Sequence, residues 1–216
     1  MTVRLPLFPL GTVLYPGLLM PLHIFEERYR ELVRDLAAVP EEDRLFGVVA
    51  IRAGREVGTD GVRALHDVGC VAHLRQVEAY DDGRFDVMTV GTQRFRLGPL
   101  DRSRSYLQAD VELLDEPAGD AVAAVAGSVA GVFDSYRSAL VDDDGEALPV
   151  DPKVLSYLVA ASTLLDVIDK QALLEAPDTA ARLRQELTLL RRETAMFKLL
   201  PSVPAVDLTR TAMSPN

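Results

Sequence analysis

The spacing of apolar and polar positions changes twice along the chain. Residues 5–22 are largely apolar but are broken by Pro6, Pro9, Pro16 and Pro21. Proline cannot donate to a β-ladder, so this pattern predicts short extended segments and not one long strand. Pro16-Gly17 fits a type II turn, with the glycine supplying a positive φ. From His23 onward the spacing becomes helical. Phe25, Tyr29, Leu32, Val33 and Leu36 recur as one apolar stripe, and Glu26, Glu27, Arg28, Arg30 and Arg34 fall between them on the solvent side.

Past the break at Pro40 the pattern becomes that of strands. Residues 45–51, LFGVVAI, are apolar and β-branched, which predicts a strand buried on both faces. Residues 52–69 are glycine-rich and predict a loop of irregular backbone. Residues 70–80 and 84–90 predict two strands joined by a hairpin at Asp81-Asp82-Gly83. Gly91 predicts another turn before a strand at 93–97. Residues 106–113 alternate, with Leu107, Ala109, Val111 and Leu113 on one face.

Residues 117–120 mark a boundary, after which the helical period returns. Residues 121–140 predict a helix with Val125, Val129, Val132 and Tyr136 on one side. Asp151-Pro152 is a helix start, since Asp caps and Pro at the first helical position forfeits no bond. Leu155, Leu158, Val159 and Leu165 follow it on one face. A short helix is predicted over 169–175, stopped by Pro177. Asp178 then caps a last helix with Leu183, Leu187, Leu190, Thr194 and Phe197 on one face and Arg182, Arg184, Arg191 and Arg192 on others. The periodicity alone gives an α+β chain: many short antiparallel strands with one early helix, then a run of helices.

Three quoted stretches carry a family resemblance. The opening LPLFPLGTVLYPGLLMPLHIFEERYREL resembles the start of the Lon N-terminal domain, the substrate-recognition part of the ATP-dependent Lon protease. It is most similar to the version that occurs alone, without ATPase or peptidase. That version usually reads PLHIFEPRYR; here Glu27 stands in place of the proline, which favours the helix. DVGCVAHLRQVEAYDDGRFDVMTVGTQRFRL and YLVAASTLLDVIDKQALLEAPDTAARLRQELTLLRRE resemble the later strands and the helical half of the same domain. The resemblance implies a PUA-like antiparallel β pseudo-barrel with one early helix over residues 1–116. It implies a C-terminal helical bundle over 117–200, leaving 201–216 as a loose tail.

Composition narrows the role. A formal net charge of −10 repels phosphate backbones, so nucleic acid and anionic membrane are disfavoured partners. Cys70 is the single cysteine, which excludes an internal disulfide and fits a reducing cytoplasm. The proline-broken opening is not the apolar core of a secretory leader, and no apolar run is long enough to span a membrane.

The candidate chemistry is sparse. His66, Cys70 and His73 have superficial zinc spacing, but in a strand Cys70 and His73 point to opposite faces and no second Cys pair completes a site. A lone cysteine in an apolar strand reads as a small buried hydrophobe and not as a nucleophile. Walker and G-x-S-x-G motifs are absent. The acidic pairs fall on exposed turns and helix faces. Arg94-Phe95-Arg96 places both arginines on one strand face, a conceivable base-stacking platform, with Phe95 in the core.

The remaining candidate set is His23, Phe25 and Tyr29, either lining a groove between barrel and helices or, for the two aromatics, packing in the core. The expectation is a non-catalytic binding module with no cofactor or metal. It would recognise polypeptide segments or a protein partner, with a separate ATP-dependent protease as a candidate partner. A small-molecule-binding or RNA-binding PUA-like domain is the alternative.

Overall fold

Pro6 and Pro9 do not break the first segment; they sit in a strand that changes partners. The computed structural model describes residues 1–54, 62–140 and 147–199. Strand β1 (Thr2–Leu10) is continuous through Pro6 and Pro9. Thr2 to Pro6 pair antiparallel with β7 (Gln108–Leu113). Leu7 to Leu10 pair parallel with β3 (Leu45–Gly54). The expected interruption is therefore corrected: Pro6 falls at the change of partner, where a missing N–H costs least.

This change of partner closes the sheet. From β7 the order runs through β6 (Phe85–Asp101) and β5 (Val68–Ala79) to β3, and β3 returns to β1. Each neighbouring pair in this five-strand circuit is antiparallel except the closing β1–β3 pair. Two strands lie outside the circuit. β2 (Leu19–Ile24) adds to β6, and β4 (Val62–Leu65) adds to β3. Much of the expected irregular loop at 52–69 is thus strand: β3 runs on to Gly54, β4 follows, and β5 begins at Val68. Residues 55–61 lie outside the described residues.

The expected turn at Gly91 is also absent. β6 continues through it as a strand, and Gly91 serves a different purpose. The Pro16-Gly17 turn, with Gly17 at φ +82°, crosses β6 here. Gly17 N donates to Gly91 O at 2.8 Å, and Gly91 N donates to Leu18 O at 2.9 Å. A Cβ on Gly91 would collide with the Tyr15 carbonyl oxygen. Val71 pairs with Gln93 but Ala72 with Gly91, so Thr92 is an extra residue and β6 bends at a bulge.

β3 is buried on both faces, as its composition predicts. Val49 joins Leu7, Val71, Phe95 and Val111 in one cluster, while Val48 joins Phe8, Cys70, Ala72 and Leu74 in another. Helix α1 (Glu27–Ala37) covers the second cluster with Tyr29, Leu32, Val33 and Leu36. Phe25 does not belong to that stripe. It precedes the helix and is 51% exposed.

The second half is helical: α2 (Val122–Leu140), α3 (Pro152–Ser162), α4 (Val167–Glu175) and α5 (Thr179–Leu199). Val129 and Phe133 of α2, Leu155 and Val159 of α3, and Leu183 and Leu190 of α5 share one core. Asp151 caps α3 by accepting from Lys153 N at 2.8 Å and Val154 N at 3.1 Å. α4 starts two residues earlier than its periodicity predicts, because Asp166 caps it by accepting from Asp169 N. Asp178 accepts from Ala181 N and caps α5, as expected. No helix among the described residues is long and apolar enough to cross a membrane.

Candidate functional site

The contact between sheet and helices is closed by buried charge. Arg94 on β6 is 3% exposed and Arg182 on α5 is fully buried. Both reach Glu116: Arg94 Nε lies 2.8 Å from Oε2 and Arg182 Nη2 lies 2.7 Å from Oε1. Arg94 also donates to the carbonyls of Leu174 and Ala176, which end α4. Arg182 donates to Leu173 O and Ser156 Oγ, and its guanidinium lies 4.0 Å from the centre of the Tyr157 ring. Tyr157 Oη donates to Glu116 at 2.6 Å. Burial pushes the Glu116 carboxyl up, but Arg182, Tyr157 and Arg94 outweigh it and hold the group below its ordinary range. The sequence separates Arg182 from the apolar stripe of α5, yet its desolvated fork is a clamp between α3, α4 and the sheet. Arg94 is likewise lost as a base-stacking partner for Arg96. The two share a strand face, but only Arg96 reaches solvent.

Beside this clamp lies Glu186 on α5, 2% exposed, with neither carboxylate oxygen hydrogen-bonded. Burial drives its pKa well above the ordinary value, and Arg182 only partly opposes this.

The zinc-like and thiol sets are not assembled. Cys70 is fully buried, and burial pushes its thiol up to about 12. His73 Nε2 lies 2.6 Å from Glu41 O, and His66 Nδ1 lies 3.8 Å from a Glu175 oxygen. Among the described residues, no group of three or more His, Cys, Asp or Glu side chains could hold a metal ion.

His23, Phe25 and Tyr29 do come together, in a different place from the expected groove. They line a cleft of about 300 Å³ between β2, the end of β1 and the start of α1, with Phe8, Leu10, Pro21, Leu22, Ile24 and Glu26. No residue of α2 to α5 lines it. Tyr29 is its buried floor, stacked on Phe8 with ring centres 4.2 Å apart. Phe25 is its exposed lip. His23 stands on the rim, its ring centre 6.3 Å from that of Phe25 and 6.3 Å from that of Tyr80.

The polar groups of the rim were not legible as a set in the sequence. His23 Nδ1 lies 2.6 Å from Asp86 Oδ1, and Tyr80 Oη donates to Asp86 Oδ2 at 2.6 Å. Arg84 Nη1 lies 3.4 Å from His23 Nε2. The Tyr80 hydrogen bond, then that of His23, holds the Asp86 carboxyl below its ordinary range. The hairpin at 81–83 predicts that Tyr80 and Asp86 are close. Only the non-local pairing His23↔Asp86 brings β2 beside them.

β2 pairs with β6 on one side, and among the described residues no strand pairs with its other edge. Exposed apolar side chains lie at both ends of this edge: Leu19 is 67% exposed and Phe25 51%. The arrangement offers an open backbone edge, an apolar cleft with an aromatic lip and a polar rim. It suits binding.

Comparison with known proteins bears on this geometry. Residues 4–192 match the family model of the ATP-dependent protease La (LON) substrate-binding domain. The chain is 30% identical over 207 residues to Lon protease 2 of Herpetosiphon aurantiacus, covering 92% of this chain and 25% of that protein. It is 28% identical over 207 residues to the Lon protease of Escherichia coli K12, covering 91% of this chain and 26% of that protein. The chain therefore spans about a quarter of the length of these relatives. A crystal structure of a Lon N-terminal domain protein from Xanthomonas campestris superposes with a TM-score of 0.62 at 26% identity, covering 86% of this chain and 98% of that one. The N-terminal domain of a Mycobacterium avium complex Lon protease superposes with a TM-score of 0.67 at 19% identity, covering 88% and 98%, and shows the shared fold. The α+β class and PUA-like architecture implied by the sequence are those of this fold.

Proposed function

The chain belongs to the ATP-dependent protease La (LON) substrate-binding domain family, and from that premise we propose that it is a non-catalytic module that binds polypeptide segments. The observation that carries the reading is the open edge of β2 running beside the apolar cleft of Phe8, Tyr29 and Phe25. An extended segment adds to such an edge through main-chain hydrogen bonds and sends alternate side chains into the cleft. Pro21 limits the number of donors on β2, so the cleft must supply much of the affinity. A cleft of about 300 Å³ holds only one or two large apolar side chains. Weak, sequence-tolerant binding follows from that size.

The binding role extends to partners and place. A segment held here would be delivered to a separate ATP-dependent protease, and the cytoplasm, where the lone Cys70 stays reduced, is where the module would work. The acidic net charge and the burial of Arg94 favour polypeptide over RNA as ligand.

Fluorescence anisotropy tests the proposal, with a labelled, permanently unfolded polypeptide and a labelled RNA titrated in parallel. Saturable binding of the polypeptide alone is expected. Absence of polypeptide binding up to about millimolar protein, equivalent to only ~4 kcal/mol, overturns the reading.

A further inference from the structure

Strand register lays out the outer face of β2, β6 and β5. Leu19 pairs with Val90 and Pro21 with Met88, while His23 pairs with Asp86 and Asp86 with Glu78. Residues directly opposite in a sheet point to the same face, as do residues two apart in one strand. Three parallel rows follow. Two are apolar, Leu19 with Val90 and Pro21 with Met88, and the third is polar, His23 with Asp86 and Glu78. Met20, Leu22, Val87 and Val77 alternate with them and pack on the core from the other side. A cleft of about 650 Å³ lies over the second and third rows.

The face is apolar, open and charged with one sign. Leu19 is 67% exposed, Pro21 is exposed, and Met88 and Val90 are half-buried. Every residue that lines the cleft belongs to β2, β5 or β6, so no helix covers it. No lysine or arginine lines it either. Glu78 is exposed and has no hydrogen bond or ion pair among the described residues. An uncovered apolar strip bordered by carboxylates is complementary to a partner that is apolar on one side and basic on its flank.

Backbone hydrogen bonding selects the form of that partner. Ladder bonds lie in the plane of the sheet, so a segment lying on its face finds no main-chain partner there. A helix satisfies its main chain internally, and with side chains it is about 10–12 Å across. Three strands spaced by about 4.8 Å span about 10 Å, so one helix covers the width of this face. Rows two residues apart are separated by only about 6.8 Å. A lysine or arginine on a helix seated over Pro21 and Met88 spans that gap, its alkyl stem on Met88 and its charged end at the acidic row.

We propose that this face docks an amphipathic helix of a partner protein. The apolar stripe of the helix lies on Leu19, Pro21, Met88 and Val90, and a lysine or arginine on its flank meets Asp86 and Glu78. The site is the face of the sheet and not the edge of β2, so it stands apart from the binding of extended segments. The acidic row repels an anionic membrane, the other surface that an apolar patch could meet.

The test selects, on the full chain at low salt, from a displayed library of one stable helical scaffold randomised over a single face. Enriched clones are expected to carry an apolar stripe flanked by lysine or arginine. The leading clone is then made as a labelled peptide and followed by anisotropy. Leu19→Asp and Met88→Asp are each expected to weaken it by at least about tenfold. Leu19 is the more exposed of the two, and urea denaturation of both variants separates lost binding from lost folding. Glu78→Gln is expected to weaken the peptide by about three- to fivefold, the scale of a partly exposed ion pair, and added salt to remove that effect. Glu42→Gln removes the same charge from an exposed site outside the cleft and is expected to change nothing. Failure to enrich any helical clone overturns the proposal, as does a clone indifferent to Leu19→Asp and Met88→Asp in folded variants. A clone lost equally in Phe25→Ala sits in the first cleft and overturns it too. Equal effects of Glu42→Gln and Glu78→Gln overturn the basic flank in favour of net charge.

Discussion

The sheet–helix junction and the β2 rim are built from the same kinds of group, arginine, carboxylate and tyrosine, in opposite surroundings. At the junction Arg94, Arg182, Glu116 and Tyr157 are desolvated and meet one another at hydrogen-bonding distance. At the rim His23, Asp86, Tyr80 and Arg84 make hydrogen bonds of similar length while each stays substantially exposed. A buried network has a high cost of disruption and fixes how two layers pack. An exposed one contributes little to stability and stays available to exchange partners. The difference separates architecture from binding surface, although the chemistry of the two is alike.

The largest expected effect lies at the junction. Arg182→Ala leaves the largely covered Glu116 without its main counter-charge, and should destabilise the chain by about 3–5 kcal/mol in urea denaturation. A loss under about 1 kcal/mol would mean that water or Arg94 replaces the clamp, and the contrast would fail.

A smaller, pH-dependent effect is expected at Glu186. Its folded pKa is raised, so its contribution is fully present below the unfolded value of about 4.3 and is lost as pH rises toward the folded value. Glu186→Gln cannot ionise. The variant should gain stability relative to the unsubstituted chain as pH rises, with the gap vanishing toward pH 4. The charged or titratable groups that act on Glu186 are Arg182 and Tyr15, so the pH series is best repeated in Tyr15→Phe to isolate the carboxyl. A gap that does not change with pH would show that the carboxylate stays ionised in the fold.

The smallest effect on stability belongs to the rim. His23→Ala should lower the unfolding free energy in urea denaturation by less than about 1 kcal/mol, because the pair it breaks is exposed. Its effect should appear in polypeptide affinity instead. A stability loss matching that of Arg182→Ala would place His23 with the architecture.

The elements whose signals are local could be read from the sequence. α1 follows from its stripe, the hairpin at 81–83 from Asp-Asp-Gly, and the starts of α3 and α5 from Asp151-Pro152 and Asp178. The strand β3 announced its double burial by having no polar alternation. What failed was non-local. Gly91 has the composition of a turn, but its purpose is to let the Tyr15–Gly17 crossing approach β6. Pro6 looks like a strand breaker until β1 is seen to change partners there. Arg182 sits off the leucine stripe of α5, and only the arrival of Glu116 and Tyr157 from elsewhere makes it interior. The same holds for the candidate site. Phe25 fits the helical spacing, yet α1 begins after it and the ring becomes the lip of the cleft. Asp86 gains meaning only through the pairing of β2 with β6.

The double pairing of β1 also constrains how the chain can fold. Its first residues pair with β7, Thr2 opposite Glu112, while its last pair with β3, Leu10 opposite Ala50. During synthesis the β1–β3 contact can form while only half of the sheet exists, but the circuit stays open until residue 113 has left the ribosome. Ring closure across so many intervening residues carries a loop-closure cost that local hairpins such as β5–β6 avoid. The β1–β7 seam should therefore be the last part of the sheet to gain hydrogen-exchange protection on refolding, well after the β5–β6 hairpin.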